Sequence, residues 1–200
     1  MKKLIALLLL AVCQLSAGYA LSARQVLDKC AQTLNAPEGL QADFSMTSAQ
    51  YGSASGTIAI KGRKFHASTP MASMWFDGTT QWTYMKKNDE VSVTTPTETQ
   101  LQAFNPYNFI NIYKKGYKQT MTTSATAYTV HLTAEKQGAR LKELFITVDK
   151  KSYQPSEVKL LQGTKWTTFT ISNLRKVSLA DAAFRFNSKD FPTAEVIDLR

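Results

Sequence analysis

From Leu40 onward, most of the chain alternates apolar and polar residues with a period of two, the pattern typical of half-buried β-strands. Phe44 and Met46, for example, alternate with polar neighbours, and "AFRFN" and "EVIDLR" continue the pattern near the C-terminus. The strand-like segments do not alternate with helical ones, as they would in a parallel α/β sheet. The sequence therefore predicts one antiparallel sheet of about ten strands in an α+β, mostly β fold.

Three helices are predicted to accompany this sheet. Residues 22–35 form an amphipathic pattern in which Ser22 and Gln25 make a capping box and Cys30 lies on the apolar face. The segment "TETQLQAFNPYNFINIYKKG" interrupts the strands and predicts two short helices, over about residues 98–104 and 106–114.

The N-terminus has the pattern of a secretion signal. Lys2 and Lys3 precede the apolar run "LIALLLLAVC", and Gly18 and Ala20 are the small residues that signal peptidase requires. We expect residues 1–20 to be a signal peptide and residues 21–200 a single domain. Cys13 leaves an alternative open, because "LAVC" resembles the site at which bacterial lipoproteins are acylated and anchored.

The stretch "MWFDGTTQWTYM" predicts an aromatic hairpin, since Asp-Gly between alternating strands is a strong turn signal. With Asp77 and Gly78 as the loop, Trp75 would pair with Thr80. Large apolar side chains then occur on both faces of the hairpin, and three short helices cannot cover both. We expect the excess apolar surface to line a pocket between the sheet and the helices.

The sequence carries no recognisable catalytic or metal-binding set. His66 and His131 have no partner at metal-ligand spacing, and "GSASG" (residues 52–56), interpreted as a flexible turn, has Ala54 where a nucleophilic serine would stand. We therefore expect no enzymatic activity, no metal and no cofactor. The net charge of +9 is distributed over turns, which favours anionic surfaces or acidic proteins over nucleic acid as partners.

In order along the chain, "QADFSMTSAQ", "GTIAIKGRKFHASTP", "MWFDGTTQWTYM", "FNPYNFI" and "AFRFNSKDFPTAEVIDLR" resemble segments of the LolA-type periplasmic carriers of outer-membrane lipoproteins. The resemblance implies an unclosed antiparallel β-barrel of about ten or eleven strands, with a three-helix lid over an apolar cavity. It also implies a monomer that receives acylated lipoproteins from an inner-membrane ABC transporter complex. An outer-membrane receptor would then take the cargo.

The same half-barrel also leaves room for a membrane-anchored lipoprotein receptor or a periplasmic lipid or peptide sensor. For the carrier, we predict that one apolar cavity is surrounded by aromatic and aliphatic side chains from the strands and the central helix. These are Phe44, Phe65, Trp75, Trp82, Tyr84, Phe109, Ile110 and Tyr113.

Arg63 in "KGRK" is the nearest counterpart of the family's arginine that ties the sheet to the lid, although the family's proline is absent here. We predict that Arg63→Leu weakens lid closure, because it removes the charge that would hold the lid. Binding of a hydrophobic dye should rise and hand-off of cargo should slow, while uptake is retained. Unchanged dye binding together with unchanged transfer would remove the latch role from Arg63.

Overall fold

The computed structural model describes residues 20–50, 52–97, 101 and 112–200, and in these the chain is dominated by one 12-stranded sheet. Helix α1 spans Ala23–Thr33. The strands are β1 Leu40–Ser48, β2 Gly52–Lys61, β3 Lys64–Ser68, β4 Ala72–Phe76, β5 Gln81–Met85, β6 Glu90–Thr94, β7 Tyr117–Thr123, β8 Ala127–Ala134, β9 Leu141–Asp149, β10 Pro155–Gln162, β11 Lys165–Lys176 and β12 Glu195–Asp198.

The sheet is unclosed, because its strands follow one another in a linear order with β7 at one edge and β12 at the other. The order is β12-β6-β5-β4-β3-β2-β1-β11-β10-β9-β8-β7. Neighbouring strands pair antiparallel as expected, except that β12 runs parallel to β6, with Val196 opposite Val91. The predicted strand number was therefore slightly low, and the expectation of a purely antiparallel sheet was wrong at this edge.

Helix α1 begins as the sequence predicts. The Ser22 side chain accepts a hydrogen bond from the Gln25 backbone N–H, and the Gln25 side chain accepts one from the Ser22 backbone N–H. Val26, Leu27 and Cys30 are buried against the apolar face of β8, β9 and β10. Within the described ranges, no helix combines the length and the hydrophobicity needed to cross a bilayer.

The other two predicted helices fall almost entirely outside the described residues. Leu101 is the described residue of the first, and it is buried in an apolar cluster with Ile60, Phe65 and Phe76. Ile112, Tyr113 and Lys114 are the described residues of the second. The described part of the chain therefore supports one helix over the sheet, and a three-helix lid is not supported.

The aromatic hairpin has a longer loop than predicted. Trp75 pairs with Trp82 rather than with Thr80, and the loop runs from Asp77 to Thr80. The Asp77 carboxylate accepts hydrogen bonds from the backbone N–H groups of Thr79 and Thr80, at 3.0 and 2.9 Å, and these stabilise the loop. The shift of two positions leaves every side chain on its predicted face, since faces alternate with a period of two.

The segment after β11 does not form the predicted strand "AFRFN". It forms two 3-10 turns, Asp181–Phe184 and Ser188–Asp190, and crosses one face of β3, β4 and β5 before entering β12. Phe184 is completely buried. The segment therefore covers an apolar face of the sheet instead of extending the sheet, and this covering role explains its aromatic residues.

The "GSASG" segment is the start of β2 rather than a turn. Its last residue, Gly56, is a glycine because the neighbouring strand leaves no space for a side chain. A β-carbon on Gly56 would lie 1.9 Å from the Ser68 carbonyl oxygen. Because no side chain fits between β2 and the end of β3, glycine is required at this position.

We predict that Gly56→Ala lowers the free energy of unfolding by about 2 kcal/mol or more, because the backbone at Ser68 must move to admit the methyl group. Denaturant unfolding followed by circular dichroism would measure the loss. Ser55→Ala, at the exposed neighbouring position, should change the free energy by less than about 0.5 kcal/mol. Equal stability of the Gly56→Ala variant and the parent protein would contradict the close approach.

Candidate ligand-binding cavity

A cavity of about 480 Å³ lies between α1 and the sheet, which is within the roughly 300–1,000 Å³ of small-ligand pockets. One wall is formed by Leu27 and Cys30 of α1 and by Leu34, which caps the end of the helix. The strands supply the remaining apolar lining: Leu40, Ala42, Phe44, Met46, Ala54, Ile58, Ile60, Phe65, Ala67, Met74, Ile146, Pro155, Val158, Leu160, Phe169, Ile171 and Leu174.

The residues that line the cavity differ in how far they are buried. Leu40 and Leu160 are buried beneath α1, whereas Phe44, Met46 and Phe169 in the middle of the sheet are only half-buried. Among the described residues, the cavity is therefore open over β1, β2 and β11. Apolar side chains that face an open cavity remain in contact with water until another apolar group covers them.

The predicted cavity residues fall on two faces of the sheet. Phe44 and Phe65 line the cavity. The cavity lining does not include Trp75, Trp82 or Tyr84. Trp75 follows the lining residue Met74 in β4, so its side chain lies on the opposite face of the sheet. Trp82 pairs with Trp75, and Tyr84 stands two positions after Trp82 in β5, so both share that opposite face. The expectation that these three side chains face the same cavity as Phe44 and Phe65 was therefore wrong.

The C-terminal segment covers this second face. Phe186 and Phe191 lie against Trp75 with ring centroids 5.7 and 5.6 Å apart, and Phe191 lies 4.6 Å from Tyr84. The Arg185 side chain adds an ion pair with Asp77 at 3.2 Å. The hairpin therefore directs Met74 towards the cavity and its Trp75 face towards the protein's own C-terminal segment.

Tyr113 lies in the core beside α1 rather than in the cavity lining. It is almost completely buried, and its hydroxyl donates a hydrogen bond of 2.6 Å to the Asp28 carboxylate. The pKa of the Tyr113 hydroxyl is raised to about 12, mainly by burial and secondly by this hydrogen bond. Phe109 and Ile110 lie outside the described residues.

Sequence reasoning missed several lining residues that stand beside the predicted ones. Met46 follows Phe44 at the next position on the same face of β1. Phe169 pairs with Met46, and Ile171 pairs with Phe44, across β1 and β11. Alternation within β1 was a usable signal for Met46, whereas the pairing of β1 with the distant β11 is not encoded in any local pattern.

Comparison with known proteins assigns the family. A family model described as outer membrane lipoprotein carrier protein LolA matches residues 14–164, well over half of the chain. The protein belongs to the LolA family.

Solved structures resemble this LolA-family chain at low sequence identity. An uncharacterized conserved protein from Thermus thermophilus shares its fold and is 12% identical, with a TM-score of 0.58 over 88% of this chain and 98% of that one. A LolA superfamily protein from Nitrosomonas europaea is 10% identical, with a TM-score of 0.44 over 84% and 99% of the two chains. LprF from Mycobacterium bovis is 10% identical, with a TM-score of 0.46 over 80% and 96%. No curated protein matches the sequence.

Arg63, the predicted latch of this LolA-family protein, is exposed at the turn between β2 and β3. The lysines on either side of the turn hold the C-terminal segment: Lys64 lies 2.6 Å and Lys61 3.4 Å from the Asp181 carboxylate. Lys61 also donates to the Leu179 carbonyl at 2.8 Å. This turn therefore connects the sheet to the C-terminal segment, and a latch role for Arg63 stays a prediction.

The thiol of Cys30, in the wall of the cavity, is held in an unreactive environment. Burial raises the pKa of the Cys30 thiol to about 12, so the side chain behaves as the small buried hydrophobe that the sequence predicts. In the described ranges, no cluster of three histidine, cysteine or carboxylate side chains could hold a metal ion.

Both histidines stack on aromatic rings. His66 lies 5.0 Å from Trp75, and His131 lies 4.0 Å from Phe145, measured between ring centroids. His131 also contacts the Glu143 carboxylate at 2.9 Å. These contacts account structurally for both residues.

We predict that His66 makes the protein less stable in mild acid. Burial lowers the pKa of His66 below its ordinary value of 6.5, so the unfolded chain binds a proton that the folded chain rejects. The stability that neutral His66 contributes is therefore present above 6.5 and is lost as the pH falls from 6.5 towards the lowered pKa. His66→Phe keeps a ring on Trp75 and removes this dependence.

Thermal melts at about pH 7.5 and about pH 5.5 would compare the two proteins, because the ordinary titration of histidine lies between them. The melting temperature of the parent should fall more between these pH values than that of His66→Phe. An equal fall in both proteins would assign the acid sensitivity to other groups.

Proposed function

We propose that this protein is a periplasmic carrier that holds the acyl chains of lipoproteins in its cavity and shuttles them from the inner to the outer membrane. The observation that carries the proposal is the cavity itself: apolar side chains line it from α1 to β4, and it stays open over β1, β2 and β11. Membership of the LolA family supports this use of the cavity.

The cavity suits an acyl chain energetically. Burying a methylene group contributes about 0.8 kcal/mol, so a chain gains affinity with each carbon that enters the lining. The half-buried Phe44, Met46 and Phe169 would be removed from water at the same time. A flexible, polarizable residue such as Met46 can adapt to chains of different shape.

The partners follow from the carrier role. An inner-membrane ABC transporter complex would load the monomer with an acylated lipoprotein, and an outer-membrane receptor would accept it. The net positive charge that remains when Lys2 and Lys3 are removed with the expected signal peptide favours approach to anionic membrane surfaces. The mechanism needs only binding and release of cargo, and no bond is made or broken.

We predict that Ala54→Trp weakens acyl-chain binding. Ala54 lines the cavity opposite Met46, so an indole at this position would fill the space that a chain needs. Affinity for a fluorescent acylated peptide, measured by anisotropy, should fall about tenfold or more. Transfer of a labelled lipoprotein from the protein to acceptor vesicles should fall with it.

Ser55→Trp is the matched control, because Ser55 is the exposed neighbour on the other face of β2. It should bind and transfer like the parent protein. Unchanged binding by Ala54→Trp would reject the cavity as the site of the acyl chain. Strong binding without any transfer to vesicles would reject the shuttle and favour a sensor.

A further inference from the structure

Arg140 is the one cationic residue among the described residues that line the cavity. It is exposed and ends the loop between β8 and β9, where its carbonyl accepts a hydrogen bond from the Gly163 backbone N–H at 3.4 Å. All other lining residues are apolar except Asp43, Thr69, Gln162 and Thr167. Arg140 therefore places one positive charge, in contact with water, beside a mostly apolar lining.

Strand directions place Arg140 at the polar end of the cavity. Arg140 precedes Leu141, which pairs with Gln162 at the end of β10. Thr167 begins the cavity-lining part of β11 and pairs with Ser48 at the end of β1. This end of the sheet therefore holds Arg140, Gln162 and Thr167 of the polar lining, whereas Leu27 and Cys30 of α1 pack against the start of β1 at the opposite end.

The Arg140 guanidinium makes no ion pair among the described residues, and the carboxylates of Glu143 and Asp43 have other partners. Glu143 contacts His131 at 2.9 Å. The carboxylate of Asp43 accepts a hydrogen bond of 2.6 Å from the Asn173 side-chain amide. The charge of Arg140 is therefore available to a ligand at the mouth of the cavity.

We infer that Arg140 binds the anionic head group of an acyl lipid whose chain lies in the cavity. The inference rests on the proposed function, because it requires an acyl chain in the same cavity. A guanidinium presents two parallel N–H donors that match the oxygens of a carboxylate or a phosphate. The ligand class is therefore an acyl chain joined to an anionic group, such as a fatty acid or a phospholipid, which extends the ligands of the cavity beyond the acylated lipoproteins of the proposed function.

The two ends of the site recognise different parts of the lipid. The apolar walls bind the chain whatever its head group, and Arg140 adds affinity only for a negative head group. Because Arg140 is exposed, water screens the pair, and we expect a preference of about fivefold for an anionic over an uncharged lipid of the same chain length.

Calorimetric titration with four lipids of one chain length tests this division: laurate, lauroyl lysophosphatidic acid, dodecanol and monolaurin. The parent protein should bind the two anionic lipids more tightly than the two uncharged ones. Arg140→Gln should lose that preference and keep its affinity for dodecanol, which also shows that the variant is folded. A preference between laurate and the lysophosphatidic acid would identify a carboxylate or a phosphate as the natural head group.

Lys136→Gln is the charge-matched control, because Lys136 is exposed in the same loop and does not line the cavity. It should retain the preference. Equal binding of laurate and dodecanol by the parent protein, or an equal loss of preference in both variants, would overturn the role of Arg140 and leave the acyl-chain cavity intact. Failure of the parent protein to bind any of the four lipids would overturn the proposed function as well.

Discussion

The structure depends on the need to cover a sheet that carries apolar side chains on both faces. Water penalises exposed apolar surface in proportion to its area, so each face requires a separate cover. The C-terminal segment covers one face with Phe186 and Phe191, which contact Trp75. Among the described residues, helix α1 covers part of the other face, and the part that it leaves open, with Phe44 and Met46, is the cavity.

The two covers differ in how firmly they are attached. The C-terminal segment is held by apolar packing, by ion pairs from Lys64 and Arg185, and by pairing of β12 with β6. These contacts give the sheet face that carries Trp75 and Tyr84 a structural role in the fold. The cavity face has no comparable described cover over β1, β2 and β11. This asymmetry, with one face covered and the other open among the described residues, suits the proposed binding and release of an apolar chain.

Several elements could be predicted from the sequence because their causes are local. The capping box fixed the start of α1 at Ser22, and alternation placed Trp75, Trp82 and Tyr84 on one face even though the loop length was misjudged. "AFRFN" was misinterpreted because an alternating segment can extend a sheet or pack against one. Gly56 was misjudged for the same kind of reason, since its constraint comes from Ser68, a residue of another strand.

The sequence by itself determined a mostly β chain with a buried Cys30 on an amphipathic helix, and its ordered motifs indicated the LolA family. Only the tertiary structure decided which apolar face became the cavity. Alternation divides side chains into two sets but does not say what each set faces. That depends on contacts between distant segments: Phe191 with Trp75, β11 with β1, and the loop of Arg140 with the turn after β10. Such pairings are selected by the packing of the whole chain, so no local pattern records them.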